Sequence, residues 1–174
     1  DNLLSNAESL CKVWRFTSND ILIHSLPIFH AHGLFVAINV LLLAKGKMIF
    51  LPKFDVDQII NFLPQATSMM GVPTFYTRLL SDKRFTQTLT NHMRLFLSGS
   101  APLLSETHRA FEARTGHCIL ERYGMTETTM ITSNPYDEER RVGTVGFPLP
   151  RIEVRIVDEK TGKTLNDNQI GVLE

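Results

Sequence analysis

The chain has 174 residues, 43% of them hydrophobic, which suits one globular domain with a sizeable core and excludes a disordered segment. Its 18 basic and 18 acidic residues cancel, so the basic excess of a nucleic-acid or membrane-surface binder is missing. The longest apolar run, Gly33–Ala44, is broken by Asn39 and is too short to span a bilayer.

In chain order, Asp1–Phe16 has helical spacing, with Leu3, Leu4, Ala7, Leu10 and Cys11 on one face and Asp1 or Asn2 as the cap. Ile21–Ser25 is apolar and β-branched, as in a buried strand. Gly33–Ala44 reads as a helix ended by Lys45-Gly46. Lys47–Leu51 is a strand closed by Pro52, and Asp55 caps a short helix through Phe62. Thr67–Met70 is a strand stopped by Gly71, and Pro73 opens a helix through Leu80. Met93–Leu97 is a strand running into Ser98–Pro102. Ser105 caps a helix through Arg114, closed by Gly116, and Cys118–Glu121 is the next strand.

Strand–helix–strand units in series predict an α/β fold, a mostly parallel sheet flanked by helices. Right-handed crossovers place the C-terminal ends of its strands on one edge. After Asn134 the pattern changes. Tyr136–Arg141 is a polar loop, and Gly143, Gly146, Pro148 and Pro150 punctuate a turn. Glu153–Val157 alternates as a half-exposed strand, and Ile170–Leu173 returns beside it. The expected division is therefore a parallel α/β unit over 1–142 and the start of a small antiparallel, barrel-like β unit over 143–174. Asp1 and the uncapped, strand-like Gly171–Glu174 read as the ends of a piece cut from a longer protein. Cys11 and Cys118 form no metal-ligand pair and fit unpaired structural thiols of a cytoplasmic protein, or of an organellar matrix in a eukaryote.

In an open parallel sheet, ligands bind beyond the carboxyl ends of the strands. Three segments on that edge carry functional groups: Leu26–Gly33, Ser98–Pro102 and Glu121–Thr128. In the last, Tyr123 can stack on a base and Gly124 permits a close backbone approach. Thr126 can hydrogen-bond a phosphate, and Glu127 is a hard oxygen ligand suited to Mg²⁺. Arg122 can grip a carboxylate in a two-bond fork, or else pair internally with Glu121 or Asp137. His32 reads either as a ligand or as a satisfied core histidine at a helix start. His24, His92, His108 and His117 read as packing or surface residues, and Met69, Met70, Met125 and Met130 as core filler.

These segments resemble the adenylate-forming superfamily of acyl-CoA synthetases, luciferases and peptide-synthetase adenylation domains. Tyr123-Gly124-Met125-Thr126-Glu127 matches its Y-G-x-T-E signature, and Pro27–Gly33 its P-x-F-H-x-x-G segment. Ser98–Pro102 matches the adenine-side G-x-A-P segment, and Gly143–Pro148 the G-x-x-G-x-P turn. The resemblance covers the whole chain and is nearest to the malonyl-CoA synthetase branch, with runs such as Met70–Tyr76 and Ser98–Leu104. It implies activation of a carboxylate with ATP and Mg²⁺, followed by transfer to coenzyme A.

The resemblance further implies that Gly99, Ser100, Ala101, Pro102, Glu121, Tyr123, Gly124 and Thr126 bind nucleotide, and that Glu127 binds the metal. His30 orients the reacting carboxylate. Arg122, in a position that is small in most of the superfamily, nominates an acid with a second carboxylate, malonate or methylmalonate, with Ser100 and His30 assisting. The phosphate-gripping loop, the ribose-binding aspartate and the catalytic C-terminal lysine of the superfamily are not in these 174 residues. Inactivity of the isolated piece is the expectation. A fragment of another acyl- or aryl-CoA ligase, or a non-catalytic nucleotide-binding module, is the alternative.

Overall fold

The computed structural model describes all residues, 1–174. A seven-stranded sheet runs in the order β2-β1-β3-β4-β5-β6-β7. Its parallel part comprises β1 (Ile21–His24), β2 (Lys47–Phe50), β3 (Ser68–Gly71), β4 (Leu95–Ser98) and β5 (Leu120–Met125). β6 (Thr129–Ser133) and β7 (Phe147–Pro148) then add antiparallel to β5, so the sheet continues past residue 143. A separate antiparallel pair, β8 (Ile156–Val157) and β9 (Val172–Leu173), forms the second β unit. Both assigned strands are shorter than the alternation suggested, although Arg155 and Glu174 still exchange backbone hydrogen bonds at 2.9 Å just beyond the ladder.

Successive strand residues point to opposite faces, and each face has its own core. Ile23, Met69, Phe96 and Ile119 face one side, under α3 (Val56–Phe62), α4 (Pro73–Leu80) and α6 (Ser105–Thr115). Leu22, Met70, Leu95, Leu97 and Leu120 face the other, under α1 (Asn2–Val13) and α2 (Asn39–Ala44). A short helix, α5 (Gln87–Thr90), lies before β4 and has no counterpart in the sequence reading, since four residues carry no measurable period.

Local signals held where their geometry is simplest. Asp55 accepts from the Gln58 amide at 3.0 Å, Pro73 occupies the first turn of α4, and Gly116 ends α6 with φ +75°. Ser105 is the first helical residue of α6, behind Leu104, so its hydroxyl makes no cap bond; the Asp1 carboxylate makes none either. In α1 the buried stripe begins at Ala7, leaving Leu3 and Leu4 exposed. The helix expected over Gly33–Ala44 starts as a wide π-turn over His32–Ile38 before tightening into α2. Such turns recur at functional sites, and this one lies on the ligand-facing edge.

At the opposite edge, buried Asp20 holds the elements together. It accepts from Arg94 Nε at 2.6 Å, the Thr17 amide at 2.8 Å and the Thr67 hydroxyl at 2.8 Å. Burial opposes its charge, but the bonds from Arg94, Thr17 and Thr67 outweigh burial and hold its carboxyl below the usual range. No helix is long and apolar enough to cross a membrane. Cys11 and Cys118 are free thiols.

Candidate active site

The first wall of the site leaves β1 at His24. The buried His24 ring accepts from the Leu26 amide through Nδ1 at 3.2 Å and faces the Gly33 carbonyl with Nε2 at 3.1 Å. Between these anchors the chain turns so tightly that a Cβ on Gly33 would lie 2.3 Å from the Pro27 carbonyl oxygen. This turn leaves His30 exposed on the rim, its ring tilted 4.7 Å from that of Phe29, and sends His32 inward. His32 is 5% exposed; its Nδ1 meets Ser100 Oγ at 3.2 Å and its Nε2 has no partner. Burial first, then the charges of Arg122 and His24, hold the His32 pKa well below the usual histidine range, so the ring is neutral.

The second wall follows β4. Ser100 takes φ +67°, uncommon for a residue with a side chain, and reaches His32 from there. Gly99 lies against the guanidinium of Arg122: a Cβ there would stand 2.3 Å from Arg122 Cζ. The glycine therefore makes room for the arginine, behind the wall formed by Ser100, Ala101 and Pro102.

The third wall departs from the sequence reading, which ended the strand at Glu121 and placed Glu121–Thr128 beyond its end. β5 runs on through Met125 and turns directly into β6, with a bulge between Tyr123 and Gly124. Pairing with the β-branched and sulfur-containing run of β6 supplies the hydrogen bonds that keep this segment extended. Gly124 is needed for that pairing. A Cβ there would meet the Thr129 carbonyl at 2.1 Å and Met130 Cα at 2.7 Å, so the close approach is to its own hairpin. Met69, Met70 and Met130 are core, whereas Met125 is 43% exposed and lines the site because the hairpin tip carries it out of the sheet.

The strand pleat divides the signature between two hollows. One, of about 560 Å³, is lined by Pro27, His30, His32, Gly33, Val72, Phe75, Ser100, Arg122, Gly124, Thr126 and Glu127, among others. The other, of about 310 Å³, is lined by Ser98, Ala101, Pro102, Glu121, Tyr123, Gly143 and Val145; Ser100, Arg122 and Gly124 border both. Glu121 and Tyr123 thus face the smaller hollow with Ala101 and Pro102. Glu121 is buried, and burial pushes its carboxyl up while His108 and the Gly143 and Leu103 amides pull it down. Its Oε1 has no partner.

Arg122 is 3% exposed, with Nε and Nη2 buried and unpartnered. Burial pushes its pKa down to about 10, partly offset by Tyr76, so it stays cationic at neutral pH. Neither internal partner considered from sequence is used: Asp137 pairs with Arg15, and Glu121 makes no ion pair. Thr126 and Glu127 are exposed at the mouth of the larger hollow. No group of three or more His, Cys, Asp or Glu side chains is placed to hold a metal by itself. The remaining histidines are tethers: His92, His108 and His117 face the carbonyls of Leu63, Ile119 and Thr90 through Nε2 at 2.9, 3.0 and 2.8 Å. His32 is the site residue that the sequence left undecided. Its spacing two residues after His30 was visible, but its contact with Ser100 spans 68 positions.

This architecture has known relatives. The mitochondrial malonate–CoA ligase of Mus musculus is 40% identical over 178 residues, covering 93% of this chain and 30% of that protein. The malonate–CoA ligase of Arabidopsis thaliana is 37% identical over 180 residues, covering 92% and 30%. The crystal structure of ATP-bound MatB from Rhodopseudomonas palustris matches with a TM-score of 0.98 at 60% identity, over 99% of this chain and 34% of that one. The chain thus spans about a third of the length of these proteins. The sequence pattern of the AMP-binding enzymes matches residues 1–173, and the chain belongs to that family.

Proposed function

We propose that this chain is part of an ATP-dependent acid–CoA ligase whose substrate is a short dicarboxylic acid, malonate or methylmalonate. The observation that carries this reading is Arg122, a buried cation with two unpartnered nitrogens at the wall of the larger hollow. An unpartnered guanidinium costs roughly several kcal/mol to bury. A second carboxylate on the substrate offsets that cost with a bidentate, charge-assisted pair, whereas a fatty tail leaves it standing. The malonate–CoA ligases among the relatives support the same substrate class.

In this reading the larger hollow takes the acid and the smaller one the adenine. Tyr123 stacks on the base opposite Ala101 and Pro102, beside Glu121. The reacting carboxylate of the acid attacks the α-phosphorus of ATP and pyrophosphate leaves; the thiol of coenzyme A then attacks the acyl carbon and AMP leaves. His30, at the rim, orients the reacting carboxylate. His32, neutral and hydrogen-bonded to Ser100, adds an uncharged contact near Arg122. Thr126 meets a phosphate oxygen. Glu127 fits Mg²⁺ as one carboxylate of a site whose other ligands are phosphate oxygens and water, the mode this ion prefers. Bound there, the ion would neutralise phosphate charge as it develops.

The catalytic lysine and phosphate-gripping loop that the resemblance implies lie outside these 174 residues, so the isolated segment is expected not to turn over. The test uses the full-length protein carrying this segment, titrated calorimetrically with malonate, methylmalonate and octanoate and assayed for the CoA thioester. Binding and turnover of the dicarboxylates support the reading; tight octanoate binding with no response to malonate overturns it.

A further inference from the structure

His24 ends β1 with no place in the chemistry, yet both of its ring nitrogens are committed. The Leu26 amide can only donate, so Nδ1 must present its lone pair; the Gly33 carbonyl can only accept, so Nε2 must carry the proton. The two bonds specify a neutral imidazole in one tautomer. They also tie the two ends of one loop to the same ring, nine residues apart at the far end. Between the ties, the His30 amide donates to the Pro27 carbonyl at 3.3 Å, and the Leu34 amide to the His30 carbonyl at 3.0 Å. The inward side chain of this loop is His32, on Ser100.

We propose that His24 is a positioning residue: a neutral cross-brace that sets where His30 and His32 stand against the acid. The proposal rests on the acid–CoA ligase reading given above. The ring has no route to water. Phe50 of β2 covers it edge-on at 5.4 Å, and Met70 of β3 is its in-register neighbour; neither titrates. The titratable group that senses its charge is His32, on which Arg122 also acts. Burial lowers the His24 pKa, and the Gly33 carbonyl only partly restores it. A second proton would turn Nδ1 into a donor facing the Leu26 N–H, and would add a cation near His32. Protonation of the brace therefore releases the loop.

The experiment is kinetic, in the full-length protein. His24→Phe keeps a buried planar ring and removes both bonds. The acid KM is expected to rise about tenfold or more, the scale of a small misplacement of reacting groups, with the ATP KM held within about twofold. His24→Gln places an amide near the Nε2 position and should recover part of the loss. As pH falls below the ordinary histidine range, the ratio of kcat/KM for acid to that for ATP should drop less steeply in His24→Gln than in the wild type, because the titrating group is gone. His117→Gln, which alters a similar ring-to-carbonyl bond far from the hollows, should leave the ratio of the two KM values unchanged. Parallel rises in both KM values, or an acid limb unaltered in His24→Gln, overturn the proposal. If His24→Phe fails to fold, the KM split and the pH limb of His24→Gln decide alone. If the wild type ignores malonate but activates another acid, the substrate reading fails, and the same ratios measured with that acid still decide for or against the brace.

Discussion

Arg122→Met separates a functional charge from a structural one, because the two roles predict opposite signs for stability. Burial lowers the guanidinium pKa from its ordinary value to about 10. That drop corresponds to roughly 3 kcal/mol of unfavourable charge burial. Methionine keeps most of the apolar stem and removes the unpartnered donors, while the space left by the head group opens into the hollow and can hold water. The variant should therefore be as stable as the wild type, or more stable by about 1–3 kcal/mol, in urea unfolding followed by circular dichroism. Binding should move the other way. Loss of a bidentate charged contact costs about 2–4 kcal/mol, or about 30- to 700-fold in the KM for malonate, with the ATP KM nearly unchanged. The charged form is the one that binds, so the wild-type malonate KM should also rise as pH climbs through about 10. A variant that is less stable by more than about 2 kcal/mol, with both KM values raised equally, would refute the reasoning and make Arg122 a structural cation.

Other expectations follow from the same geometry. Gly124→Ala puts a Cβ 2.1 Å from the Thr129 carbonyl and should cost about 1–3 kcal/mol in urea unfolding, since a backbone strand cannot step aside as a side chain can. Asp20→Asn leaves Arg94 without its charged partner and should cost about 3 kcal/mol at neutral pH. In the wild type the Asp20 contribution is complete above its ordinary pKa of 3.8 and is lost as pH falls through the lowered folded value; a stability–pH curve for the two proteins should converge at low pH. Glu127→Gln should raise the Mg²⁺ concentration needed for half-maximal activity, with little change in the thermal midpoint because the side chain is exposed; an unchanged Mg²⁺ requirement removes Glu127 from the metal site.

The alternation of apolar strands with helical stretches, punctuated by Pro73 and Gly116, determined the layered α/β fold from local chemistry alone. The three segments at the strand ends could be named for the same reason: one crossover hand sends every parallel strand's end to one edge. What the sequence left blank depends on contacts between distant residues. β6 carries no turn or period signal that separates it from a loop, and it is a strand only because β5 extends to meet it. That extension makes the signature a pleat, so Glu121 and Tyr123 go to one hollow and Arg122 to the border of both. For Arg122 the sequence left an internal pair with Glu121 or Asp137 as the lesser alternative. The structure removes that pair, since Asp137 is engaged by Arg15, 122 positions away, and it lays the bare Cα of Gly99 under the guanidinium. His24 is the plainest case. As a letter it is one more histidine in an apolar strand, and only the folded loop brings a donor to one of its nitrogens and an acceptor to the other. Residue types and short spacings determined which chemistry this chain can carry; tertiary packing, which sets burial and leaves particular atoms unpaired, decided where that chemistry is held.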